Sequence, residues 1–155
     1  MSLDAFRICH AQHRRTAFSG DGARLYPGRW NRRGVPMVYC ASSPSLAQLE
    51  LFVHLDASEL PDHLVMIRAS IPEGVAVLSL APRDLPRDWR RLPAPPSLQE
   101  IGSDWISGGE SVALRVPSVV SPTEDNVLLN PAHVDFARIT IHAPERFVFD
   151  PRMRK

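Results

Sequence analysis

Proline limits this chain more than any other residue. Fifteen of its 155 residues are proline, against eight glycines. A proline lacks the N–H that a helix interior or a central strand needs, and its ring clashes with the preceding helical turn. Long helices and broad unbroken strands are therefore excluded. The elements must be short, and the connections between them many and stiff. A chain of this length still buries roughly 68–70% of its unfolded surface, enough for one core. A single domain over 1–155 is expected, with no internal repeat and no low-complexity tract.

Charge narrows the function classes. Lys and Arg total 18 against 17 Asp and Glu, a formal net charge of +1. A general nucleic-acid binder carries a clear basic excess, so direct nucleic-acid binding is not expected. Lys155 is the one lysine; every other basic side chain is arginine, which suits rigid forks for phosphate or carboxylate. Cys9 and Cys40 form no CxxC and no disulfide framework, which fits a reducing compartment. No stretch approaches the length of a membrane span. The first fifteen residues carry Asp4, Arg7, His10 and His13 and no apolar run, so a cytoplasmic protein is expected.

Patterning predicts strands at Leu3–Ile8, Met37–Ala41, Leu64–Ser70, Val75–Leu80, Val112–Val116, Arg138–His142 and Phe147–Phe149. The segment from His10 to Gly34 lacks either period and reads as loop. Ser43 as cap and Pro44 at the first helical position start a helix that runs over Ser45–Leu55. A second helix is expected at Ser97–Ile106, ended by Gly108-Gly109. The proline-rich segment from Pro82 to Pro96 reads as a surface excursion, with Leu85, Trp89 and Leu92 packing back on the body. The mixture implies an α+β fold with a bent, mostly antiparallel mixed sheet and short helices.

The Ser45–Leu55 helix holds an anomaly. At about 100° per residue with Leu46 at zero, Glu50 falls at about 40°, between Leu46 and Ala47, and Leu49 and Val53 share that apolar arc. A carboxylate on a packing face must be paired, hydrogen-bonded or given a ligand. A structural salt bridge and a functional glutamate are both open. Upstream, Gly28-Arg29-Trp30-Asn31 places an arginine fork and an aromatic ring beside a glycine that permits close approach. Trp30 is either a stacking surface or core. Tyr39, in the strand before the Glu50 helix, is either packing or the other wall of a cleft. Downstream, Asn126 and Asn130 bracket an apolar run, and Asn130-Pro131 reads as turn chemistry. Ser118 lacks a GxSxG context. His10-x-x-His13 lacks a third ligand at a defined spacing. Gly20-Asp-Gly22 is neither a Rossmann nor a P-loop fingerprint. Arg87, Arg90 and Arg91 read as a solvated face.

Taken in order, Arg7, Gly28-Arg29-Trp30-Asn31, Gly34, Tyr39, Ala47, Glu50, Val116-Pro117-Ser118, Asn126 and Asn130-Pro131-x-His133 resemble the RES domain family. The resemblance runs from about Phe6 to Phe149, nearly the whole chain. It implies an ADP-ribosyltransferase-like fold and a toxin of a bacterial toxin–antitoxin pair. It implies NAD as a consumed substrate, with no metal. Some members deplete NAD by hydrolysis or phosphorolysis, and others transfer ADP-ribose to a protein. By the resemblance, Arg29, Tyr39 and Glu50 are the catalytic core, and Arg7, Ser118 and Asn130 complete the NAD pocket. The implied partner is an Xre-like antitoxin that carries the DNA-binding part, with a toxin pair inside a larger complex. A non-catalytic binding module, with Arg29 and Glu50 as a structural ion pair, is the competing class.

Overall fold

A computed structural model describes residues 2–56 and 58–154; Met1, Ala57 and Lys155 lie outside the described residues. The strands are β1 (Leu3–His10), β2 (Val38–Ala41), β3 (Leu64–Ile71), β4 (Val77–Ser79), β5 (Ala113–Pro117), β6 (Asp125–Leu129), β7 (Thr140–Ile141) and β8 (Glu145–Phe147). The helices are α1 (Asp21–Leu25), α2 (Pro44–Phe52) and α3 (Pro96–Gly108). The strands form one sheet in the order β4-β5-β6-β2-β1-β3-β7, with β8 also on β3. The β4–β5 pair is parallel and every other pair is antiparallel. This is the expected α+β fold: a single domain with a mostly antiparallel mixed sheet and few short helices.

Strand alternation divides the core. Val38 and Cys40 of β2 join Val127 and Leu129 of β6 and Ile67 and Ala69 of β3 in one cluster. Leu128 of β6 and Leu114 and Val116 of β5 join Trp30, Trp89, Leu98 and Trp105 in a second, with Tyr39 packed against it. Helix α2 sits on the sheet through Leu46 and Ala47, against Ala41, Phe6 and Ile8.

Several boundaries differ from the sequence reading. The central strand β6 was absent from it. Val127, Leu128 and Leu129 are each fully buried. A strand covered on both faces has no polar alternation and looks like a short apolar run between turns. Helix α2 ends at Phe52, because residues 53–55 are turn. The Arg138–His142 strand shrinks to Thr140–Ile141, since Val134–Arg138 winds as a 3-10 helix capped by the His133 ring. The strand at Val75–Leu80 shortens to Val77–Ser79. The loop from His10 to Gly34 contains α1 and a 3-10 turn. In the proline-rich excursion Leu85 and Trp89 pack inward as expected, whereas Leu92 is 76% exposed.

Candidate functional site

Helix α2 starts where the sequence says. Ser43 Oγ accepts the Leu46 N–H at 3.1 Å, and Pro44 follows. Leu46 and Ala47 are buried, and Glu50, on the same side one turn later, is half-buried. Leu49 and Val53, expected in the same arc, point outward, with 39% and 54% exposure. The helix has rolled so that its carboxylate, not those two apolar side chains, faces inward. Glu50 Oε1 accepts from Ser118 Oγ at 2.6 Å and from Asn126 Nδ2 at 3.1 Å. Both bonds go to one oxygen. Among the described residues Oε2 has no hydrogen-bond partner.

Arg29 is held by neutral groups. Its Nη1 donates to the carbonyls of Trp89 at 3.0 Å and Arg91 at 3.2 Å. The proline-rich excursion is therefore the seat of Arg29, which the sequence did not reveal. The Nε–Nη2 edge of Arg29, the one shaped for a planar fork, has no partner among the described residues. Burial lowers the Arg29 pKa below its ordinary value, while the nearby Glu50 carboxylate and Tyr39 oppose that. The three groups thus share one locality. No ion pair joins Arg29 to Glu50 among the described residues, so the structural-ion-pair reading does not hold.

The loop carrying Arg29 is buttressed by α3 on one side and Tyr39 on the other. A Cβ at Gly102 would collide with the Trp30 carbonyl oxygen, so the helix backbone lies directly on residue 30. Gln99 Nε2 donates to Gly28 O at 3.0 Å, and Ser103 Oγ accepts the Arg32 N–H at 2.9 Å. A Cβ at Gly28 would lie 2.8 Å from the Tyr39 hydroxyl oxygen, which makes glycine necessary there. Tyr39 Oη accepts the Trp30 N–H at 3.0 Å and donates to Asn31 Oδ1 at 2.6 Å. Asn31 is fully buried; its Oδ1 also accepts the Gly28 N–H, and its Nδ2 donates to Ala23 O and Val35 O. Burial pushes the Tyr39 pKa far above the ordinary phenol value, against the Trp30 and Asn31 hydrogen bonds and the Arg29 charge. Trp30 is 2% exposed, a core residue and not a stacking surface.

The remaining sequence-predicted residues lie at different depths. Ser118 is fully buried, and its hydroxyl is committed: it gives its proton to Glu50 and accepts the Val120 and Ser121 N–H groups at 3.1 Å each. It contacts the site through Glu50. Arg7 reaches the site through the backbone, donating from Nη1 to the Tyr39 carbonyl at 2.9 Å, and among the described residues its buried Nε has no hydrogen-bond partner. Asn130 is not brought to the site. It sits at the end of β6 away from Asn126, donates to Ile106 O and accepts the Ala132 N–H, the turn chemistry its sequence suggested. Asn126 and Asn31 hold Glu50 and Tyr39 through their amides, and neither was among the expected site residues. Both stood beside those residues, but an asparagine next to a turn gives no hint of what its amide will hold.

A groove of about 380 Å³ lies beside α3, walled by Leu78, Leu80, Ile101, Trp105 and Leu114. It holds none of the groups above; Asp104 and Glu110 also line it, and no arginine does, so it has no cation to hold a phosphate. Among the described residues, no group of three His, Cys, Asp or Glu is arranged to hold a metal ion. None of their helices is long and apolar enough to cross a membrane.

Comparison with known proteins bears on the family and the fold. The model of the RES domain matches residues 4–150. A protein called Toxin Res from Yersinia enterocolitica is 39% identical over 150 residues, covering 96% of this chain and 98% of that protein. The Prs ADP-ribosylating toxin of a Sphingobium strain is 39% identical over 137 residues, covering 87% of this chain and 85% of that one. In three dimensions the chain resembles a chain of the M. tuberculosis MbcT-MbcA toxin-antitoxin complex, with a TM-score of 0.79, 20% identity, and coverage of 99% of this chain and 87% of that one. At that identity the likeness speaks for the fold. On the family match and on the identity to whole-length relatives, this chain belongs to the RES domain family.

Proposed function

We propose that the protein is the toxin of a bacterial toxin–antitoxin pair and that it breaks the nicotinamide–ribose bond of NAD. One observation carries this reading: Arg29 and Glu50 lie near enough for their charges to interact, each is held by neutral groups, and each keeps one edge without a hydrogen-bond partner among the described residues. Such a pair suits a ligand with an anionic and a cationic part. NAD has both, in its pyrophosphate and its nicotinamidium ring.

In the proposed reaction the C–N bond between ribose and nicotinamide breaks, and its electron pair goes to the ring nitrogen. The ribose carbon develops oxocarbenium character, as in glycoside cleavage. The free Oε2 of Glu50 stabilises that charge and holds a ribose hydroxyl. The Nε–Nη2 edge of Arg29 forks a phosphate, and Arg7 adds a second cation nearby. Tyr39 shapes the wall through its ring. Attack by water gives ADP-ribose and a proton; attack by phosphate gives the 1″-phosphate. The name of the Sphingobium relative, an ADP-ribosylating toxin, favours a second reading in which a protein side chain is the acceptor of the same cation. An antitoxin partner is proposed from the structural neighbour, a toxin–antitoxin complex. Its Xre-like character comes from the family resemblance.

The test is NAD measured in cells induced for wild type or for Glu50→Gln, with nicotinamide release by the purified proteins. Rapid NAD loss with wild type alone is expected. Steady NAD with arrested growth favours transfer to a protein. Equal NAD loss in both removes Glu50 from the chemistry.

A further inference from the structure

Glu124 is a carboxylate that the proposed reaction does not use. It ends the turn between β5 and β6, and its polar atoms are all engaged. Its Oε1 accepts from the Ser43 hydroxyl at 3.1 Å and its Oε2 from the Ser121 hydroxyl at 2.9 Å. Its carbonyl accepts the Ser118 N–H at 3.0 Å, and its own N–H donates to Ser121 O at 2.9 Å. Ser43 is the cap of α2, so a negative charge lies at the positive end of that helix. Ser118 is the residue that donates to Glu50. The turn therefore grips α2 at two points: at Ser43 through Glu124, and at Glu50 through Ser118. The base of the turn is fixed as well. Arg115 clamps Asp125 at 2.8 and 2.9 Å, and the Ser42 N–H donates to Asp125 O at 3.0 Å.

We propose that Glu124 is a positioning residue for Glu50. It locks the turn to the start of α2, so that Ser118 meets Oε1 and Oε2 stays directed at the substrate. The proposal rests on the reading of Glu50 as the group that acts on NAD. A carboxylate fits this task because it accepts from both serine hydroxyls at once through charge-assisted bonds. Glutamine keeps the shape and one acceptor oxygen; alanine removes both.

The experiment uses the full-length protein and five variants: Glu124→Ala, Glu124→Gln, Ser118→Ala, the Glu124→Ala/Ser118→Ala double variant, and Glu50→Gln as the floor. Glu124→Ala should lower kcat for NAD about tenfold with KM little changed, the scale of a displaced catalytic group. Ser118→Ala should do the same. The double variant should be no slower than Ser118→Ala, because both act through one bond. Glu124→Gln should recover most of the rate. Losses that multiply in the double variant, or an unchanged kcat in a folded Glu124→Ala, overturn the proposal. Amide exchange gives a readout independent of turnover. The Val120 and Ser121 N–H groups, both held by Ser118 Oγ, should exchange faster in Glu124→Ala than in Glu124→Gln. Equal protection in the two also overturns it. A wild type that consumes no NAD refutes the proposed function instead, and the exchange comparison then tests the clasp alone.

Discussion

Replacing Tyr39 by Phe separates two jobs that a tyrosine in such a site can have. The hydroxyl has a single proton, and Asn31 takes it at 2.6 Å; the oxygen in turn accepts the Trp30 N–H at 3.0 Å. It has nothing left to give a substrate. The phenylalanine ring keeps the wall but strands the N–H of a residue that is 2% exposed. Leaving a buried donor unsatisfied costs about 1–3 kcal/mol. In a domain of this size that is a Tm drop of about 2–12 °C. Two assays follow. Thermal and urea unfolding should show the loss, and nicotinamide release should fall less than in Glu50→Gln. The pH dependence supplies a signature. The folded-state pKa of Tyr39 is raised by burial, so the folded protein keeps a proton that the unfolded chain sheds. Below about pH 10 both states hold it and this group adds no slope. Above that, stability falls with pH as the unfolded state ionises, by about 1.4 kcal/mol per unit for this one group. The Phe variant lacks that component. An equally stable Tyr39→Phe protein that has lost all activity would refute the reasoning, since the hydroxyl would then act on substrate.

Two further outcomes are expected. Gly102→Ala gains about 1 kcal/mol of helix propensity but drives a methyl into the Trp30 carbonyl, a backbone group that no rotamer change can clear. A net loss of about 1–2 kcal/mol is expected in melts, with activity falling further because the Arg29 loop shifts; an active, stabilised variant would sink the account of α3 as a buttress. The Cys40 thiol is buried and its pKa is pushed up to about 12, by burial against a weaker pull from Arg7. It should resist alkylation in folded protein at pH 8 and react once the chain is unfolded, as mass spectrometry would show; labelling in the native state would contradict its burial.

The sequence displayed some of this and hid the rest for identifiable reasons. The Ser43-Pro44 start of α2 and the inward turn of Glu50 follow from local rules, because capping and periodicity involve neighbours a few residues apart. The partners of Glu50 were in view as Ser118 and Asn126, yet only the sheet register sets Asn126 opposite Ala41 and Val116, within reach of α2. The seat of Arg29 was illegible. It consists of two backbone carbonyls, and a carbonyl has the same appearance in every residue. Asn130 divided the two kinds of reading: the family resemblance implied a binding role, while the Asn130-Pro131 pair pointed to turn chemistry, and its side-chain oxygen does close a turn by accepting the Ala132 N–H.

Every anchor of the two charged groups lies later in the chain than the group it holds. Arg29 waits for carbonyls 60 and 62 residues on, and its loop for Gln99 and Ser103, each 71 residues beyond its partner. Glu50 waits for Ser118 and Asn126, 68 and 76 residues on. The supports of Arg29 belong to the crossover joining the parallel strands β4 and β5, a connection that closes only over long sequence distance. A ribosome-bound chain therefore carries Arg29 and Glu50 early but cannot arrange them until residue 126 has left the exit tunnel. Synthesis itself keeps the site unassembled for most of the time the protein is being made.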